Sequence, residues 1–349
     1  MKAPIQSLNF ALLVSAGLLS TAQGFQAGLV NVSPTAIEIH AEAIATFDPH
    51  APARRQFGQL EFRGGLILKS NHREFGGLSA LRFLGDGKRF ISLTDHGAWF
   101  TGSITYDGVR PVGIAEPVMA PILAWDGRPL AAHGWRDTES IAVNDGILYV
   151  GIEGANQVVQ FDFAKDGLLA RGHPIAVPSG IRTLPKNRGL EALEYVPQNL
   201  PMMEGTLVAI SERALDGAGN IRAFFVGGLT PGTFAIKRKD QFDITDVALL
   251  PSGELLILER SLSWPEGLLI QIRRIPLKGV KPNVVVDGLV LFEADLSCEI
   301  DNMEGLAVHQ MADGAIVLTF VSDDNFSPLQ RTELLQFTLV PERTPAGAE

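Results

Sequence analysis

A cassette bounded by carboxylates recurs five times along this chain, and a repeat of that kind restricts the fold before any single residue is considered. The copies read FGGLSALRFLGDGKRFISLTDHG from Phe75, DTESIAVNDGILYVGIEGAN from Asp137 and NRGLEALEYVP…GTLVAISERA from Asn187. Two more are FDITDVALLPSGELLILERS from Phe242 and NMEGLAVHQMADGAIVLTFVSDDN from Asn302. In four copies the first apolar run opens on an acid: Glu139, Glu191, Asp246 and Glu304, with Gly76 at that place in the first copy. In all five the second run closes on one: Asp95, Glu153, Glu212, Glu259 and Asp323. A spacing of roughly fifty to sixty residues is that of a radial or stacked repeat.

Each copy has the form of a β-hairpin. Short β-rich runs such as Phe90–Leu93 and Ile147–Val150 flank Asp86-Gly87, Asp145-Gly146, Ser252-Gly253 and Asp313-Gly314, where glycine supplies the positive φ of a tight turn. The third copy replaces its turn with a Pro-rich loop from Pro197 to Gly205. The strands run antiparallel, so the opening and closing acids lie at the same end of each hairpin.

Third runs follow at Val158–Phe161, Leu268–Ile272 and Leu334–Phe337, and fourth runs at Val118–Leu123, Phe234–Lys237 and Val284–Val286. Four antiparallel strands repeated around an axis make an all-β propeller whose inner strands line a channel. The 36 Gly and 21 Pro residues break the chain too often for a helical solenoid, and the helices of a TIM barrel are missing. Chain length favours six four-stranded blades, with five the alternative. Ile37–His40 and Leu60–Phe62 would either complete a sixth blade or close the ring against strands around Leu334–Val340.

Residues 1–24 read as an export signal: Lys2, an apolar core Phe10–Leu19, then small residues Ser20, Thr21, Ala22 and Gly24. The apolar run is too short for stable membrane insertion. Residues 25–349 then form one propeller domain, expected in the periplasm or secreted. A formal charge of −10 without a basic run argues against nucleic acid as a partner. The single cysteine, Cys298, excludes an intrachain disulfide framework; it reads as a small buried hydrophobe.

Nine carboxylates drawn to one end of a channel repel: two of them about 6 Å apart cost about 3 kcal/mol at an effective dielectric near 20. One remedy is a hard divalent cation, and Ca²⁺ suits a flexible oxygen-rich site better than Mg²⁺. Its candidate ligands are Asp95, Glu139, Glu153, Glu191, Glu212, Asp246, Glu259, Glu304 and Asp323. The other remedy is internal, from Arg136, Arg188, Arg213 and Arg260 beside the acids. Both signs together fit hydrolysis of a small anionic ester or phosphoester: metal ions polarise the phosphoryl group and arginines hold its oxygens. On this reading Glu212, Glu259, Arg213, Arg260 and Arg188 carry the catalysis. There is no Gly-x-Ser-x-Gly elbow for a serine nucleophile, and the seven histidines show no close metal-ligand pairing.

The set FGGLSAL, DTESIAV, NRGLEAL, LVAISER, ITDVALLPSGELLILER and NMEGLAV resembles the phytase-like family described as having esterase-like activity of phytase. The resemblance spans about Phe57 to Val340. It implies an exported bacterial propeller and calcium-assisted hydrolysis of phosphate or other esters. A non-catalytic propeller that binds a ligand or partner in the cell envelope, and a lactonase-like hydrolase, stay open beside it, since fold alone does not choose.

Overall fold

The computed structural model describes residues 32–85, 87–198, 205–228 and 231–340. The export-signal segment lies outside these residues, as do Asp86 and most of the Pro-rich loop of the third copy. No helix among the described residues is long and apolar enough to cross a membrane.

Every copy of the cassette forms the two innermost strands of one blade. At Asp145-Gly146 both residues are left-handed, φ 44° and 78°, as a two-residue type I′ hairpin requires. Blade 1 orders Leu78–Leu84, Arg89–Thr94, Ala98–Asp107 and Arg110–Pro121, and blade 2 orders Thr138–Asn144, Ile147–Ile152, Gln157–Asp162 and Arg171–Pro174. Blade 3 runs Leu190–Val196, Thr206–Leu215, Ile221–Gly227 and Gly232–Ile236; blade 4 runs Asp243–Leu250, Glu254–Ser263, Gly267–Pro276 and Leu289–Asp295. Blade 5 takes Met303–Gln310, Ile316–Ser322 and Thr332–Leu339 from the C-terminal side. Its fourth strand is Leu60–Lys69, which pairs antiparallel with Thr332–Leu339 and carries His40–Ile44 on its outer edge.

The described residues therefore form five blades. The favoured six fails because the N-terminal strands are spent on closing the ring, the course left open for Leu60–Phe62. Short additional strands, not a further blade, absorb the remaining length. Thr35–Ala36 pairs with the outer strand of blade 1, and Leu123–Ala124 joins blade 2 in parallel. Val285–Val286, expected as a fourth run, lies parallel on the outer edge of blade 3, and the fourth strand of blade 4 is Leu289–Asp295.

Alternation along each strand sends side chains toward both neighbouring blades, so the core divides into five apolar layers, one in each interface between blades. Phe47, Phe62, Phe292, Phe320 and Phe337 fill the layer between blades 4 and 5, beside the pairing of Leu60–Lys69 with Thr332–Leu339. Ring centroids of 5.0 Å for Phe47–Phe337 and 5.2 Å for Phe62–Phe337 lie in the range of favourable aromatic pairs.

Candidate functional site

Each inner strand skips one register position at the same place, leaving one residue unpaired in a bulge: Ser79, Glu139, Glu191, Thr245 and Glu304. A bulge re-aims its extra side chain out of the ladder. Three blades thus turn a glutamate to the channel, and carboxylate oxygens of Glu139, Glu191 and Glu304 all lie within 4.8 Å of one another. Blade 1 contributes Ser79 at this place, not Gly76, and its hydroxyl donates to the Thr138 carbonyl at 2.6 Å.

A second tier stands on the adjacent strands. The N–H groups of Asp95, Glu153, Glu212 and Asp323 each donate at 2.9 Å to the carbonyl two residues before the bulged one, respectively Gly77, Asp137, Gly189 and Asn302. In blade 4 the equivalent register belongs to Arg260, opposite Asp243. Seven of the nine expected acids are therefore brought together. Asp246 and Glu259 are not.

Both exceptions come from parity. Side chains alternate, so a shift of one residue sends a side chain to the opposite face. Asp246 is one past the bulge, where the other copies carry Ala80, Ser140, Ala192 and Gly305. It is fully buried and chelated by Arg82, with Nη1–Oδ2 2.8 Å and Nη2–Oδ1 3.0 Å. Glu259 is one short of the ring position and ion-pairs with the fully buried Arg273, while Gln271 donates to it at 2.8 Å. Both acids therefore lie apart from the other seven, each held by a buried arginine. Glu259→Gln should cost about 2 kcal/mol, the scale of a hydrogen bond to a charged group, yet leave any Ca²⁺-induced rise in Tm unchanged. Loss of that rise in calorimetry would return Glu259 to the ring.

Arg260 donates to Asn302 and Glu304 and lies 3.6 Å from Glu212. Arg213 turns instead to Asp243 at 2.9 Å, which Arg238 also holds at 2.6 Å. Arg188 is exposed and makes no ion pair among the described residues. Asp95, Glu139, Glu153, Glu191 and Asp323 form no ion pair with a described basic side chain either.

Charge crowding shows in the ionisation of the ring. Glu139 and Glu191 are held well above the ordinary carboxylate range, first by burial and then by neighbouring carboxylates, Glu304 among them. Burial pushes Asp95 up to about 6, against the pull of His96. Burial, with Glu304 beside it, pushes Asp323 up to about 7. Glu153 and Glu212 are raised too by burial, Glu212 against the opposing pull of Arg260 and Arg213.

One layer deeper, Arg82 blocks the axis. Besides Asp246 it donates to the carbonyls of Leu81 (2.6 Å), Leu306 (2.9 Å), Leu193 (3.0 Å) and Val247 (2.7 Å), reaching blades 1, 5, 3 and 4. Glu194 lies 3.8 Å away. Arg82 thus closes the channel on one side of the ring. Sequence reasoning missed Arg82, although a lone arginine inside the apolar run Leu78–Leu84 was a visible signal.

Among solved structures the chain is similar to the PQQ-bound form of an aldose sugar dehydrogenase from Streptomyces coelicolor. There the identity is 12%, over 88% of this chain and 99% of that one, with a TM-score of 0.43. It is similar as well to the glutaminyl cyclase of Myxococcus xanthus, at 13% identity over 79% of this chain and 97% of that one, TM-score 0.39. With a protein of unknown function from Bacteroides caccae it shares 13% identity over 64% of each chain, TM-score 0.31. These likenesses say nothing of activity. No curated protein matches the sequence significantly. Residues 73–326 match the sequence profile described as phytase-like, esterase-like activity of phytase. That span holds all five inner hairpins and both tiers of the ring, and the chain belongs to the phytase-like family.

Proposed function

We propose that this protein is a Ca²⁺-dependent ester hydrolase, acting on small anionic esters with phosphoesters foremost, and that it works in the periplasm or after secretion. The observation that carries the reading is the convergence of Glu139, Glu191 and Glu304 within 4.8 Å. Oxygen ligands at about 2.3–2.6 Å from Ca²⁺ can stand that far apart across the ion. The donors are all carboxylates, which suit a hard cation, and the crowding of buried like charge is what such an ion would relieve. Bound there, Ca²⁺ would supply Lewis-acid polarisation of the ester.

The chain's own residues do the rest. Arg260, anchored on Glu304 and Asn302, sets a fixed positive charge beside the glutamates to attract an anionic ester oxygen. Asp95 and Asp323, which ionise near neutrality, stand on the outer tier to take a proton from attacking water or return one to the leaving oxygen. Arg82 closes the channel below the ring, so substrate and product would enter and leave from the opposite side.

Purified protein should hydrolyse members of a panel of phosphomonoesters, carboxylesters and lactones in Ca²⁺ and lose the activity on chelation. Arg260→Ala should lower kcat/KM about 10²–10³-fold, the scale for removing one transition-state donor. Wild-type protein inert across the panel with Ca²⁺ would overturn the enzyme reading and leave a ligand-binding propeller.

A further inference from the structure

The ring face of blades 4 and 5 turns large apolar side chains to solvent. Leu262 is 80% exposed, Trp264 95%, Leu329 92% and Leu296 62%. Leu262, Trp264 and Leu296 gather at one hairpin end through strand geometry. Glu254–Ser263 pairs with Gly267–Pro276 without a bulge, so Leu262 shares a face with Arg260, two residues or about 7 Å along the strand. That face looks toward blade 5, since Leu256 and Leu258 on it pack in the layer between blades 4 and 5. Leu268, opposite Leu262, packs against the same layer. The hairpin end carries the strip outward through Trp264, and a Cβ on Gly267 would lie 3.3 Å from Leu296.

On the blade 5 side, the loop after Asp323 carries Leu329. Asn325 and Phe326 both have left-handed φ, 48° and 49°, uncommon for a bulky side chain. Asp324 holds the loop by accepting the N–H groups of Gly77 (2.9 Å) and Phe326 (3.0 Å). The Phe326 ring stacks on His96 at 4.3 Å, and Leu329 follows three residues later.

We propose that this apolar lip is the subsite for the hydrocarbon part of an amphiphilic ester whose polar head sits at the ring. This deepens the hydrolase function proposed above and rests on it. The strip begins at Arg260, so one extended ligand touches both lip and ring. A bilayer or a second copy would cover Trp264 and Leu329 without reaching the ring. The formal charge of −10 also repels an anionic membrane.

Isothermal titration of the full chain with n-alkyl phosphates from butyl to dodecyl, in Ca²⁺ and below micelle formation, tests the subsite. Affinity should rise about two- to fourfold per added methylene, as partial to full burial of each CH₂ gives. Leu262→Ser, Trp264→Ser and Leu329→Ser should flatten that rise and leave butyl phosphate binding unchanged. No binding, or affinity independent of chain length, overturns the subsite. So does a lip used only for cosedimentation with phosphatidylcholine vesicles or for dimerisation. Chain-length-dependent binding without hydrolysis of any ester would sink the hydrolase reading and keep the subsite. Hydrolysis indifferent to chain length would do the reverse.

Discussion

Arg82→Met should destabilise the protein by about 3–5 kcal/mol, the usual consequence of removing one partner from a buried ion pair. The guanidinium is enclosed and its bonds reach four of the five blades. Without it, the fully buried Asp246 keeps only the N–H groups of Leu306 (2.8 Å) and Val247 (2.7 Å), and four carbonyls lose a donor. Burial already pushes the Asp246 carboxyl up against the pull of Arg82, so the orphaned acid should take a proton on folding. The double variant Arg82→Met, Asp246→Asn should recover part of the loss, because neither charge is then stranded. Denaturant unfolding measures both. A loss under about 1 kcal/mol for the single variant would show that Arg82 does not tie the blades together.

The second large effect concerns the ring and its sign with pH. Without a divalent cation, the protein should lose stability as pH rises from about 4 through 7. Asp95 and Asp323 sit at about 6 and about 7, and Glu139 and Glu191 well above the usual range. Over that window the folded state binds more protons than the unfolded chain, so each rise in pH favours unfolding. The contribution is fully present below the unfolded carboxylate values and is lost as pH passes the folded ones. Ca²⁺ at a hundredfold excess over its Kd should restore about 2.7 kcal/mol at pH 8 by mass action.

Glu191→Gln should then act in two opposite directions. It should raise the Tm of the cation-free protein at pH 8, since it removes one buried charge from among like charges. It should also abolish the stabilisation by Ca²⁺, because one of the three converging carboxylates is gone. Calorimetry at pH 5 and 8, with Ca²⁺ and with chelator, separates the two effects. A variant that keeps the full calcium shift would remove Glu139, Glu191 and Glu304 from the metal site.

The repeat by itself determined the class of fold. Apolar alternation and Asp-Gly or Ser-Gly turns are local signals, so the hairpins, their antiparallel sense and the placing of acids at one end could be read directly. Glu139 and Glu153, or Glu191 and Glu212, are neighbours for that reason. Tertiary structure alone decided the rest. A bulge adds one residue and reverses parity, so the run Ile244-Thr245-Asp246 looks like a ring acid in sequence but carries Thr245 to the channel and Asp246 to Arg82. The same parity put Arg260, not Glu259, among the carboxylates. Blade number depended on Leu60–Lys69 crossing nearly the whole chain to pair with Thr332–Leu339, a contact that no local pattern encodes. The raised ionisation of the ring likewise arises only when residues far apart in sequence are buried side by side, because desolvation and Coulomb repulsion depend on distance in space.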